Sequence, residues 1–363
     1  WLTMGILVGS VLALGIFDWV RLKTLLVALY GLITLSLVSL SLAGDLQQVA
    51  LALGLVGVCC GIGLAGAATI ISSSYEAEQR ASALVMTDGS FSIAGVVVST
   101  AALFLLARDF DWFGAYLVVA VIAAVVLLLL LMSNFRPIDA VTASPIESAD
   151  AVSGRWPPGV WLCIVALFLY TLGQYSLLWW LPNYLETSLS VPRARAGEVV
   201  GQFWSGMFVA QLFVAWWVLK MGVQRLVIIG SLTTMLCSVP LWLYGDIDGL
   251  IILAFIWGVA NLGLLKIIIS FATLMVRVPT PRLISGLLLG ATLGTAVSPW
   301  VTSQIVERSS SYFVLQFGSG CYLALVVVLL LASRGYAASQ ASCTSPKGAA
   351  AAASPDADSG LAS

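Results

Sequence analysis

Lys266 stands in Trp257-Gly258-Val259-Ala260-Asn261-Leu262-Gly263-Leu264-Leu265-Lys266-Ile267-Ile268-Ile269, a run with no other charge. At 1.5 Å of helix rise per residue it lies roughly 14 Å from the nearer polar end, too deep for its stem to carry the ammonium back to water. A cation at that depth costs several kcal/mol, so it must pair with an acid, face a wet cavity, or spend part of its time deprotonated. Asp88 is the acid at compatible depth. It shares a helical stripe with Ser92, Gly95 and Ser99, which places the carboxylate on a face of small polar groups. An Asp88–Lys266 pair is one expectation; a tie from Asp88 to the charged turn Tyr75-Glu76-Ala77-Glu78-Gln79-Arg80, and a lysine facing a water-filled crevice without a ligand, are the others.

A second group of polar side chains lies in Leu172-Gly173-Gln174-Tyr175-Ser176-Leu177-Leu178-Trp179-Trp180-Leu181-Pro182-Asn183-Tyr184-Leu185. Gln174, Trp180 and Tyr184 supply an amide, an indole and a phenol, which suit a hydroxyl-bearing or amphipathic ligand. Pro182 frees a carbonyl where a helix bends beside a cavity. Trp and Tyr near a membrane surface are also ordinary interfacial anchors, a reading as strong for Trp179 and Trp180. Gln174 is too deep for it. The basic residues form a third group: Arg21 and Lys23 recur at Lys220 and Arg225, and Arg80 recurs at Arg282. Such cations can be held by acids and helix C-termini of neighbouring helices, and so act in a gate, or can simply mark membrane orientation.

These residues are positioned by helices that must cross a bilayer. Apolar residues make up 60% of the chain and charged ones 9%, with a mean hydropathy of +1.04, against about 25% charged in a soluble domain. Hydrophobic runs of about 20 residues match a hydrocarbon core about 30 Å thick. Five fall at about 2–17, 24–43, 49–74, 82–106 and 113–132, and six at about 157–185, 196–219, 226–244, 249–275, 283–305 and 312–332. Residues 133–156 form a polar linker between them, expected in the cytoplasm, and residues 335–363 an Ala/Ser-rich tail expected to be disordered. The fold expected is all-α, two six-helix bundles from a duplication. The first helix is then absent from this chain, leaving a bundle of five spans at 1–132 and one of six at 157–334. With the linker inside, eleven lysines and arginines fall on its side and four on the other, as the positive-inside rule requires. The third span carries Gly57 and Gly61, a small-xxx-small pair that lets another helix approach closely.

The same composition excludes several functions. Without histidine there is no imidazole triad or zincin motif, and a net charge of −1 offers no basic face for nucleic acid. Five of the six cysteines lie in the spans, so a disulfide framework is not expected. No cofactor, no metal and no clustered catalytic set is expected, hence no enzyme.

Asp18-Trp19-Val20-Arg21-Leu22-Lys23 resembles a worn copy of the major facilitator superfamily signature, lacking its central glycine; Lys220-Met221-Gly222-Val223-Gln224-Arg225 keeps the glycine and loses the acid. Residues 75–95 and 173–185, Gln202-Phe203-Trp204-Ser205-Gly206-Met207, Val278-Pro279-Thr280-Pro281-Arg282 and 285–299 resemble the TsgA-like branch of that superfamily, and more distantly the fucose-permease group of sugar/proton symporters. The similarity runs to about Arg334. It implies that Gln174, Trp180, Pro182 and Tyr184 follow the seventh-helix pattern, that Asn261 is a recurrent tenth-helix asparagine, and that Asp88 matches a threonine-aspartate step. The departures are that the fourth helix lacks the coupling acid, Gln211 stands where many relatives have arginine, and Lys266 has no counterpart.

The function expected is secondary active transport of a small solute, a sugar or small organic anion, by alternating access and with proton coupling. Gln174, Trp180, Tyr184, Asn261 and Lys266 would bind substrate, and Asp88, Arg80, Arg225 and Arg282 would couple or gate. The alternatives are a non-coupled facilitator or efflux permease, and a non-transporting sensor on the same scaffold. The expected setting is the bacterial inner (cytoplasmic) membrane, multi-pass, monomeric, with the linker and C-terminus cytoplasmic.

Overall fold

The computed structural model describes residues 1–16, 20–74, 77–133, 156–276 and 281–344. All regular structure among them is helical, as a bilayer demands of a chain that must satisfy its backbone internally. The first half holds α1 (Leu2–Ile16), α2 (Leu22–Ser39, extended by a 3-10 turn at Leu40–Leu42), α3 (Leu46–Ser74), α4 (Ala77–Leu106) and α5 (Gly114–Met132). The second holds α6 (Pro158–Ser188), α7 (Arg193–Met221), α8 (Val223–Ser238), α9 (Pro240–Leu243), α10 (Ile247–Asn261), α11 (Leu264–Thr273), α12 (Pro281–Arg308) and α13 (Ser311–Thr344). Eight helical passages among the described residues are long and apolar enough to cross a membrane, and α1 adds a shorter apolar helix. The chain is an all-helical, multi-pass membrane protein. Helix α7 opens with Arg193, Arg195 and Glu198, and α12 is rich in Thr and Ser, which lowers their hydropathy.

Each half has its own packed core, one around Leu26, Leu29, Ile33 and Val56, the other around Leu167, Phe203, Trp257 and Tyr322. Lipid tails are as apolar as leucine, so the helices associate by close packing rather than by escape from water. Glycines make that possible. A Cβ on Gly57 would come within 2.1 Å of the Leu2 carbonyl oxygen of α1, and one on Gly258 within 2.1 Å of the Phe203 carbonyl oxygen of α7. Large side chains such as Leu35, Val121, Leu129, Leu212 and Trp300 point outward, the surface lipid would cover.

Three features depart from the expected layout. The span expected over 249–275 is interrupted between α10 and α11, where Leu262 (φ 50°) and Gly263 (φ 62°) are both left-handed. The span expected over 226–244 divides at Pro240, which cannot donate to the helix ladder. The last helix runs on to Thr344, past Arg334. Gly335–Thr344 is rich in alanine, and the Tyr336 ring packs on Phe271 with centroids 5.9 Å apart, so the start of the expected tail is a docked helix. Residues 134–155 of the linker and 345–363 of the tail lie outside the described residues.

Candidate functional site

The break between α10 and α11 lies near the middle of its passage, and several buried polar groups of the second half lie beside it. Asn261, the last residue of α10, is fully buried and donates from Nδ2 to the Trp257 carbonyl, 2.9 Å away. Thr234 of α8 donates to the Ala260 carbonyl at 2.9 Å, satisfying an acceptor that the interrupted helix leaves over. Tyr322 of α13 meets Trp257 ring to ring at 6.4 Å and Tyr170 of α6 at 6.4 Å. Its hydroxyl lies among the polar groups of Trp257 and Asn261.

Three atoms here, Trp257 Nε1, Asn261 Oδ1 and Tyr322 Oη, are buried without a hydrogen bond of ordinary geometry. An indole N–H only donates, an amide oxygen only accepts, and a phenol does either. The three atoms are one another's nearest partners, the indole N–H and the amide oxygen both facing the Tyr322 hydroxyl, so the bonds among them are loose rather than absent. Together they form a donor–acceptor set suited to a hydroxyl group or a water molecule.

The predicted residues fall into four places. Gln174, 5% exposed, sits one turn beyond Tyr170 on α6 and next to Gly173, where a Cβ would lie 3.6 Å from the Tyr322 ring. Gln174 is thus on the helix whose Gly173 packs against the Tyr322 ring. Trp180 and Tyr184 lie further along α6, and Tyr184 stacks against Tyr312 (6.0 Å), which in turn meets Trp242 (6.0 Å). That aromatic layer lies next to the 189–192 turn, away from the polar trio. Lys266 is half-buried in the first turn of α11, its backbone N–H bonded to the Gly263 carbonyl at 3.0 Å. It is on the far side of the break from Asn261.

The side chains of Asp88, Arg80 and Arg282 lie outside the described residues, so the Asp88–Lys266 pair is not placed. Ser92, one turn beyond Asp88, is fully buried with its hydroxyl unpartnered. Arg225 is exposed at the start of α8, after Gly222, whose φ of 74° fits the turn glycine. Gln224 in that turn donates to Ser333 of α13 at 2.9 Å. In the first half, Lys23 donates to the Ser133 carbonyl at the end of α5 at 2.6 Å, a cation on a helix C-terminus. Each basic turn is thus tied to the last helix of its own half.

The halves meet along two seams, α4 on α7 and α1 on α12. In the first, a Cβ on Gly95 would run into the Trp204 ring at 2.6 Å, and Phe91 meets Trp204 edge-on at 5.3 Å. At one end of this seam Arg195 donates to Glu198 at 2.5 Å and also to Asp248 of α10, and these carboxylates, Asp248 first, hold its guanidinium more firmly protonated. Trp257, Tyr322 and Glu198 were not singled out in sequence. An aromatic in an apolar run carries no pattern that marks it as polar, although Trp257 stands one helical turn before Asn261.

The Major Facilitator Superfamily model matches residues 1–282. TsgA homologs of Yersinia pestis (strain Pestoides F) and Yersinia pseudotuberculosis serotype O:3 (strain YPIII) are each 26% identical over 332 residues, 91% of this chain and 83% of theirs. Among solved structures, a variant of the E. coli fucose:proton symporter FucP superimposes with a TM-score of 0.64 at 13% identity, covering 91% of this chain and 90% of that one. FucP in its outward conformation gives a TM-score of 0.64 at 11% identity, with 91% and 89% covered. The similarity to FucP concerns the fold.

Proposed function

The chain belongs to the Major Facilitator Superfamily, and from that membership we propose that it is a proton-coupled secondary transporter that moves a small sugar or organic anion by alternating access. The observation that carries the reading is the buried donor–acceptor set of Trp257, Asn261 and Tyr322 beside the α10–α11 break. Irregular backbone at membrane depth is tolerated where it is enclosed by protein or lines a path, and broken helices are a common way to place a transport site near the midplane. Gln174, buried on α6 next to the glycine that packs on Tyr322, is the further amide assigned to substrate in this reading. Lys266, beyond the break, supplies the one deep charge among the described residues, with Trp180 and Tyr184 along the route to the 189–192 turn. Asp88, Arg80, Arg225 and Arg282 act in coupling or gating, at the end where the basic turns gather. The linker and C-terminus are assigned to the cytoplasm of a bacterium, the spans to its inner membrane, and the working unit to a monomer.

The test is uptake by the full protein in proteoliposomes loaded with a pH-sensitive dye, with L-fucose and succinate as first probes. Solute-dependent acidification that Lys266→Ala removes supports the reading. Labelled uptake without a dye response would make the protein a facilitator or couple it to another ion. Uptake equal to wild type in Lys266→Ala would make the lysine structural.

A further inference from the structure

A cleft of about 210 Å³ opens in the α4–α7 seam toward the 107–113 turn, lined by Ser99, Thr100, Leu103, Glu198, Gln202 and Ser205. It is separate from the polar trio, and none of the residues expected to bind substrate touches it. Its volume is far above the roughly 10–15 Å³ that a single water requires, so it has room for several waters or a small solute. Its wall is richer in acceptors than in donors. Ser99 donates to the Val96 carbonyl at 3.1 Å and Ser205 to the Gly201 carbonyl at 2.8 Å, so both hydroxyl protons are used and the oxygens remain as acceptors. Glu198 accepts from Arg195 at 2.5 Å, but that guanidinium is shared with Asp248, so one cation serves two carboxylates. The remaining donors are the Gln202 amide and the Thr100 hydroxyl. An organic anion brings only acceptors and would meet the Glu198 carboxylate; a ligand rich in O–H or N–H groups complements the wall.

We propose that this cleft is the capture site for the transported solute on the side of the 107–113 turn, and that it selects hydrogen-bond donors, hydroxyls or protonated amines, over organic anions. The proposal rests on the transporter reading above. Thr100→Cys, and Ser205→Cys on the facing wall, report on it in proteoliposomes of the full protein through labelling by a membrane-impermeant maleimide. Sorbitol, ethanolamine and succinate are the probes. Several-fold slower labelling with sorbitol identifies hydroxyl recognition, and with ethanolamine, amine recognition; Gln202→Ala should remove the protection. Absence of labelling at both positions, protection by succinate alone, protection by none of the three, or protection unchanged in Gln202→Ala would overturn the proposal. Uptake in the same vesicles separates the two readings. Solute entering without protection sinks the capture site and leaves the transporter, whereas protection with no solute entering does the reverse.

Discussion

The Tyr322 hydroxyl is where stability and function are most easily told apart, because its replacement changes almost nothing else. Tyr322→Phe keeps the ring that packs on Trp257 and Tyr170 and removes one fully buried polar atom that lacks a regular hydrogen bond. Removing it leaves the Trp257 indole N–H and the Asn261 amide oxygen without the phenol they face, so the variant should lose about 1 kcal/mol of stability. If the hydroxyl serves solute, uptake should fall at the same time. Thermal unfolding in detergent and uptake in vesicles measure the two quantities, and a small loss of stability with a much larger loss of uptake is the expected outcome. Uptake that falls only in proportion to the folded protein would mean that the hydroxyl serves the fold alone, and unchanged uptake would remove Tyr322 from the site. Asn261→Leu should cost more than Tyr322→Phe. It also deletes the 2.9 Å bond to the Trp257 carbonyl in the last turn before the break, and leucine must pack where an amide fitted.

Among the elements, the straight spans were legible in sequence and the broken one was not. Hydropathy finds a helix such as α5 because nineteen residues without a charge have one stable arrangement in lipid. The α10–α11 break depends on tertiary partners: Leu262 takes a conformation that costs a leucine about 1–2 kcal/mol, held by Gly263 after it and by Thr234 reaching across from α8. Of the site, Gln174 was visible as a polar residue deep in apolar surroundings, and Asn261 only through the resemblance to the family's tenth helix. Trp257 and Tyr322 were hidden because their rings obey the apolar pattern and only their single polar atoms do not. Close crossings make a sharper prediction at this scale. Gly258→Val pushes side-chain atoms into the Phe203 carbonyl, so α10 must move away from α7, and a loss of at least about 2 kcal/mol is expected. Gly54→Ala meets nothing within 4 Å and should be neutral or slightly stabilising. Denaturation of both variants in the same detergent checks the contrast, and equal losses would show that the α10–α7 crossing is not tight in the working protein.

At the scale of the whole molecule, the packing repeats between the halves as the sequence duplication requires. Helix α1 crosses α3 at glycines as α7 crosses α10, and α2 is tied to the end of α5 as α8 is tied to α13. The seams repeat as well: α4 lies on α7 in one, and their counterparts α12 and α1 meet in the other. Two similar bundles joined along two equivalent seams can rock by opening one end of both seams while closing the other, without unpacking either core. Joining one seam covalently should therefore stop transport while leaving the fold intact. Gly201 faces Ser99 so closely that a Cβ on it would lie 3.2 Å from the serine oxygen, a spacing compatible with a disulfide between cysteines at these positions. In the double variant Ser99→Cys/Gly201→Cys, oxidation should abolish uptake and a reductant should restore it, while uptake by each single variant should not respond to either reagent. Full uptake in the oxidised, cross-linked protein would mean that the halves do not part along the α4–α7 seam, and the rocking path would then have to run through motions inside the bundles, with the α10–α11 break as the first place to look.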